Sequence, residues 1–81
     1  MSLEIFACRA KQLRDEHNLS TRMLAEELNV SNALISFYEN CKREPTLSVM
    51  KSYAQYFKVS LDYLVGLSDN KEEYYAKNKK P

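Results

Sequence analysis

Only three residues, Asn29, Val30 and Ser31, separate two short segments in which apolar side chains recur at helical spacing. A connection this short sets two helices at a steep angle and does not allow a long antiparallel hairpin. The two backbones must then approach closely at one point, and the small side chain of Ala25 stands there. Ile35, a branched apolar residue in the second segment, can fill the angle between the helices. These features predict a helix-turn-helix motif.

The rest of the chain also has helical patterning. It contains one glycine and two prolines, and no stretch alternates between polar and apolar residues as a half-buried strand would. The predicted helices cover roughly residues 4–17, 21–28, 32–40, 47–57 and 61–65, with Ser20, Ser31, Thr46 and Ser60 as N-caps. The predicted inward residues are Phe6, Ala10, Leu13, Leu24, Ala25, Leu28, Ile35, Tyr38, Leu47, Met50, Tyr53, Ala54 and Phe57. The expected fold is an all-α, compact five-helix bundle that contains the helix-turn-helix, followed by a short C-terminal tail.

Composition excludes several classes of protein. With 81 residues the chain is expected to form one domain, and its two cysteines, Cys8 and Cys41, are too few for a disulfide framework. This indicates a cytoplasmic protein, and no apolar run is long enough to span a membrane. We found no catalytic set or metal-ligand spacing, so we predict no enzyme activity, no cofactor, no metal and no small-molecule ligand. The net charge of +1 neither favours nor excludes nucleic acid.

The outer face of the third predicted helix has an unusual composition for a surface helix. If Ile35 and Tyr38 face inward, the outward positions carry small, amide or aromatic side chains and no carboxylate: Asn32, Ala33, Ser36 and Phe37. Asparagine can bind adenine, serine can bind several bases, and alanine or phenylalanine can contact a thymine methyl group. We therefore predict that these four residues contact base edges in the major groove. Phe37 could instead pack in the core or in a dimer contact, and Leu34 is expected to pack against the second helix.

An ordered set of segments resembles the lambda-repressor-like, Cro/repressor-type (XRE) helix-turn-helix family. The segments are QLRDEHNLS (12–20), MLAEELNVS (23–31), LISFYENCKREPTL (34–47) and YAQYFKVSLDYLVGLSD (53–69). The resemblance runs from about Phe6 to Leu67, some three-quarters of the chain. The resemblance implies the lambda repressor-like five-helix fold. It also implies a DNA-binding transcriptional regulator, bacterial or phage in type and a repressor, that binds a palindromic operator as a homodimer.

The resemblance also implies roles for individual residues. Arg14 and Glu39 align with an ion pair that joins the first helix to the third, the alternative being two solvated charges. The positions that contact phosphate in the family are occupied here by Thr21, Arg22, Asn40, Lys42 and Arg43. Thr21 replaces the longer glutamine usual in the family, and glycine is usual at the positions of Asn18, Asn29, Cys41 and Lys58. Arg9 and Lys11 are interpreted as surface charges.

The end of the chain differs in composition from the rest and contains four lysines in its last twelve residues. We predict a DNA-binding domain at residues 1–69 and a basic tail at residues 70–81. A terminal segment needs something to pack against if it is to be ordered, and we predict a homodimer interface formed by Tyr63, Leu64, Leu67, Tyr74 and Tyr75. A disordered end is the alternative. A protein-interaction module, such as an antitoxin that masks a toxin, is the alternative function, with Leu34, Phe37 and the tyrosines as its protein contacts.

Overall fold

Residues 3–71 are described by a computed structural model of the chain, and they form five helices in the predicted order. These are α1 (Leu3–Glu16), α2 (Thr21–Leu28), α3 (Asn32–Glu39), α4 (Leu47–Phe57) and α5 (Leu61–Val65). Helix α1 lies one residue earlier than predicted, and α3 ends at Glu39 because Asn40, with φ −105° and ψ 14°, has left the helical conformation. The all-α fold class is confirmed.

Local hydrogen bonds define where four of these helices begin. The side-chain oxygen of each predicted N-cap accepts a hydrogen bond from the backbone N–H three residues later, as in Ser20 with Met23 and Ser31 with Leu34. Each bond satisfies one of the N–H groups that have no partner within the helix. Four short polar side chains therefore set the starts of α2 to α5.

All five helices end in the same way, with a residue in the left-handed conformation followed by a backbone N–H that donates to the carbonyl five residues earlier. The left-handed residues are Asn18, Asn29, Cys41, Lys58 and Gly66. The corresponding bonds are Leu19 to Arg14, Val30 to Ala25, Lys42 to Phe37, Val59 to Ala54, and Leu67 to Asp62. This arrangement satisfies the last carbonyls of each helix and turns the chain sharply. It accounts for connections of only a few residues.

Replacing Lys58 with glycine is expected to raise the free energy of unfolding by about 0.5–1 kcal/mol, because φ is 57° at this position and a β-carbon there is strained. Urea unfolding followed by circular dichroism measures the change. Lys51→Gly is the matched control, since Lys51 is exposed in the interior of α4. There the same substitution should lower stability by about 1 kcal/mol. Equal destabilisation by both changes would show that the backbone at Lys58 is unstrained.

The core lies between the five helices, with α1 packed mainly against α3 and α5. Its largest fully buried side chains are Phe6, Leu24, Ile35, Tyr53 and Leu64. The rings of Phe6 and Tyr53 pack edge to face with centroids 5.2 Å apart. The prediction for Leu47 was wrong, because this first residue of α4 lies at the edge of the bundle and is 63% exposed.

Arg9 also differs from its prediction as a surface charge. Its guanidinium donates to the backbone oxygens of Tyr63 and Ser68, and it pairs with the Asp69 carboxylate at 2.9 Å. It also stacks over the Tyr63 ring, 4.2 Å from the centroid. Arg9 therefore fixes the chain that follows α5 against α1, and a second pair, Lys71 with Glu16 at 3.1 Å, continues that attachment.

Candidate nucleic-acid interface

Helices α2 and α3 meet at the point predicted from the sequence. Ala25 is 3% exposed and Ile35 is fully buried. The Val30 N–H donates to the Ala25 carbonyl at 3.0 Å, which ties the turn to the end of α2. Leu34 is half-buried and packs against the core. The angle between the two helices is thus set by a small residue, a buried wedge and a hydrogen-bonded turn.

The face of α3 that was expected to point outward is exposed. Asn32, Ala33, Ser36 and Phe37 are all accessible to solvent, while Ile35 and Tyr38 are buried. Phe37 is 41% exposed, so in this structure it is a surface residue and not part of the core. An exposed helix face without charge is therefore available for contact with another molecule.

The single carboxylate of α3 is turned away from that face. Glu39 forms a two-pronged ion pair with Arg14, at 2.7 Å from Nε to Oε2 and 3.0 Å from Nη2 to Oε1. The side chains are only 12% and 6% exposed, and Arg14 Nη1 also donates to the Leu19 carbonyl at 2.7 Å. The hydrogen bond to Glu39 raises the pKa of Arg14. The predicted pair is present, and it removes the negative charge of Glu39 from the exposed face.

Two buried tyrosines lie near the Arg14–Glu39 pair, Tyr38 in α3 itself and Tyr53 in α4. Burial raises the pKa of the Tyr53 hydroxyl, and nearby Glu39 raises it further. Burial likewise raises the pKa of Tyr38. Both hydroxyls therefore stay protonated and neutral at physiological pH and add no charge next to the Arg14–Glu39 pair.

The predicted phosphate-contacting residues lie at the start of α2 and in the segment that follows α3. Arg22 in α2 and Lys42 and Arg43 in the loop after α3 are exposed, and Thr21 is half-buried. Asn40 is exposed, but its side-chain nitrogen already donates to the Ser36 carbonyl at 2.8 Å. Three exposed cations therefore lie in the first turn of α2 and in the loop after α3.

One contact on this surface was not predicted. The guanidinium carbon of Arg43 lies 5.5 Å from the centroid of the Phe37 ring. Two residues six positions apart would lie on different faces of a continuous helix. The left-handed conformation of Cys41 turns the chain back toward Phe37. Glycine is usual at this position in the family, and that preference could have indicated the turn.

The predicted dimer contact fits the structure only in part. Tyr63 and Leu64 are 6% and 0% exposed because both are used in the core of their own chain, so the prediction for these two side chains does not fit. Leu67 is 79% exposed. Tyr74 and Tyr75 lie outside the described residues. A dimer surface can include Leu67 but not the two buried residues.

Other kinds of site have little support in residues 3–71. No group of three or more His, Cys, Asp or Glu side chains in that range could hold a metal ion. Cys8 and Cys41 are exposed free thiols. An open cavity of about 280 Å³ between α2 and α4 is lined by Glu27, Leu28, Ser52, Gln55 and Tyr56.

No helix within residues 3–71 is long and apolar enough to cross a membrane.

Comparison with known proteins gives a consistent result. The helix-turn-helix family profile matches residues 11–64. The chain is 32% identical over 66 residues to the uncharacterised HTH-type transcriptional regulator YobD of Bacillus subtilis, covering 82% of this chain and 59% of the relative. It is 33% identical over 70 residues to the HTH-type transcriptional regulator ImmR of Bacillus subtilis, with coverage of 86% and 52%. The HTH-type transcriptional activator BcrR of Enterococcus faecalis is 38% identical over 55 residues, with coverage of 68% and 27%.

The chain thus spans between about a quarter and three-fifths of the length of these curated relatives. No solved structure matches it significantly.

Proposed function

The chain belongs to the Cro/repressor-type helix-turn-helix family, and from that premise we propose that it is a DNA-binding transcriptional regulator. Helix α3 enters the major groove and α2 lies across the sugar–phosphate backbone. The observation that supports this most directly is the exposed face of α3, which is free of carboxylate because Arg14 holds Glu39 on the opposite side. Phosphates line both edges of a groove, and an unpaired carboxylate on that face would be repelled.

The chemistry of the four exposed residues suggests what each contacts. The Asn32 amide can donate to and accept from an adenine edge, and the Ser36 hydroxyl can bond to several bases. Ala33 and Phe37 offer apolar surface for a thymine methyl group. Asn32 and Ser36 therefore supply hydrogen bonds, and Ala33 and Phe37 supply apolar contacts.

Arg22, Lys42 and Arg43 hold the flanking phosphates in this proposal, assisted by Thr21, the backbone N–H groups at the start of α2, and Asn40. The chain as a whole carries a net charge of only +1. Local placement of cations decides the attraction to DNA. All three are exposed, and Arg43 lies next to Phe37 of the proposed base-contacting face.

We extend the proposal to a homodimer that acts as a cytoplasmic repressor on a palindromic operator. Two copies related by a twofold axis would place two α3 helices about one turn of DNA apart. Residues 1–69 would carry DNA binding, and exposed Leu67 is the candidate dimer contact within the described residues. Bound DNA half-sites and the sedimentation mass of the free protein test these finer points.

Replacing both Lys42 and Arg43 with alanine is expected to weaken binding to random duplex DNA by roughly tenfold or more at about 0.1 M salt. Two phosphate contacts would be lost, so the slope of log affinity against log salt should become shallower by about 1.8. Fluorescence anisotropy at several salt concentrations measures both quantities for Lys42→Ala/Arg43→Ala. The matched control is Lys11→Ala/Lys51→Ala, which removes the same charge from exposed positions in α1 and α4.

The outcome also separates the two classes of function. Micromolar, salt-dependent binding of the wild type supports the regulator. If the wild type binds no duplex at low salt, the DNA-binding proposal is wrong, and the exposed face of α3 is then better explained as a protein-binding surface.

A further inference from the structure

The Phe37 ring and the Arg43 guanidinium form a pair on the exposed side of α3. Their separation of 5.5 Å from guanidinium carbon to ring centroid lies within the range of a cation–π contact. Phe37 is 41% exposed, and Arg43 forms no ion pair with any carboxylate of residues 3–71. The pair thus presents an apolar ring and an uncompensated positive charge side by side.

The turn after α3 creates this pair. Cys41 is left-handed with φ 57°, and the Lys42 N–H donates to the Phe37 carbonyl at 2.8 Å. The chain is thereby folded back over the last turn of α3, which brings Arg43 to the Phe37 side chain. Because backbone hydrogen bonds hold this turn, the two side chains meet without a long flexible connection.

Stacking on a ring also restricts the guanidinium. A free arginine side chain samples many rotamers. When its planar guanidinium lies on an aromatic face, fewer of those rotamers remain accessible. Lysine has no such plane and is a compact, strongly hydrated charge. The contact with the ring therefore limits the positions that the Arg43 guanidinium can take.

We propose that Phe37 and Arg43 act as one recognition unit that selects a 5-methylpyrimidine, thymine in ordinary DNA, next to a phosphate bound by Arg43. This inference rests on the proposed DNA-binding function and adds a base identity to it. The ring covers the C5 methyl group in the major groove, and the guanidinium neutralises the neighbouring phosphate. A base without that methyl group leaves the ring partly in water.

The test uses the tightest-binding duplex selected from a random pool, with each thymine replaced in turn by deoxyuridine. This change deletes only the methyl group and leaves the hydrogen-bonding edge intact. Wild type should lose about fourfold in affinity at one or more positions, as expected for one buried methyl-sized group. Phe37→Ala should bind the thymine and uracil duplexes equally well at those positions.

Variants at Arg43 test whether the two residues act together. Arg43→Ala should reduce the uracil penalty to less than about twofold, although this residue touches no base in the proposal. Arg43→Lys keeps the charge but has no planar group to stack on the ring. Compared with Arg43→Ala, it should therefore recover the salt dependence of binding more fully than the preference for thymine over uracil. Circular dichroism melting confirms that each variant is folded. The deoxyuridine series with wild-type protein does not depend on the folding of any variant.

The possible failures are distinguishable. If wild type binds duplex DNA with steep salt dependence but tolerates uracil at every position, the recognition unit is wrong and the DNA-binding function stands. If the uracil penalty appears and Arg43→Ala leaves it at full size, Phe37 acts alone and the pair is overturned. If wild type binds no duplex, both the recognition unit and the proposed function are wrong.

Discussion

Replacing Arg14 with alanine is expected to lower the free energy of unfolding by about 3–5 kcal/mol. The Glu39 side chain is 6% exposed and accepts both of its short hydrogen bonds from Arg14. Without the guanidinium, its charge would stay buried with no partner, and the Leu19 carbonyl would lose its bond to Arg14. A domain of this size has a total stability of roughly 4–12 kcal/mol, so the loss would leave much of the variant unfolded near physiological temperature.

Urea unfolding at low temperature, where the variant remains folded, measures this change. Lys11→Ala is the matched control, because it removes a cation from the same helix and breaks a surface pair with Asp15 in which both side chains are more than half exposed. Exposed pairs of this kind contribute about 0–1 kcal/mol. If the two variants lose equal stability, the Arg14–Glu39 pair does not hold α1 to α3.

A double substitution separates the cost of the broken pair from the net contribution of the intact one. Arg14→Met with Glu39→Leu removes both charges and keeps apolar volume, and such replacements are often neutral or stabilising. We expect the double variant to be far more stable than Arg14→Ala. Its α3 would still present no carboxylate, so binding to random duplex DNA should persist.

The parts of the fold that depend on neighbouring residues could be predicted from the sequence. Ser20 or Ser31 caps a helix through a hydrogen bond to a backbone group three residues away. Asn18 and Asn29 end helices because asparagine tolerates the left-handed conformation. Both effects are local, and helix limits were therefore placed to within about one residue.

Features that depend on contacts between distant segments were missed. Leu47 has the spacing of a core residue, but nothing in its own helix reveals that this end of α4 extends past the core. Arg9 looks like an ordinary surface charge until the chain after α5 returns to it. Tyr63 and Leu64 were assigned to a dimer because their burial within one chain depends on how α5 packs against α1.

The candidate interface combines both kinds of information. Its outer face follows from helical periodicity, since fixing Ile35 and Tyr38 inward leaves Asn32, Ser36 and Phe37 outward. The ion pair that neutralises Glu39 was predicted from family resemblance, because no spacing rule links a residue in α1 with one 25 positions later. The Phe37–Arg43 contact required the geometry of the turn at Cys41.

Ile35→Ala is expected to cost about 2–5 kcal/mol of folding stability, because Ile35 of α3 is completely buried in the core. The lost side chain is also the wedge that keeps α3 at its angle to α2, with Ala25 at the crossing point. A cavity here lets the two helices shift relative to each other. DNA affinity should therefore fall even at temperatures where circular dichroism shows the variant to be folded, because a displaced α3 no longer fits the groove.

Two further substitutions test whether the effect on DNA binding is specific to Ile35. Ile35→Val keeps a branched side chain and should cost only about 0.5–1.5 kcal/mol, with DNA binding nearly unchanged. Leu64→Ala creates a comparable cavity at another fully buried site, in α5, away from the α2–α3 crossing. It should lose similar stability but, when measured in the folded state, retain DNA affinity. If Leu64→Ala and Ile35→Ala weaken binding equally under folded conditions, loss of general stability explains the effect and Ile35 does not set the helix angle.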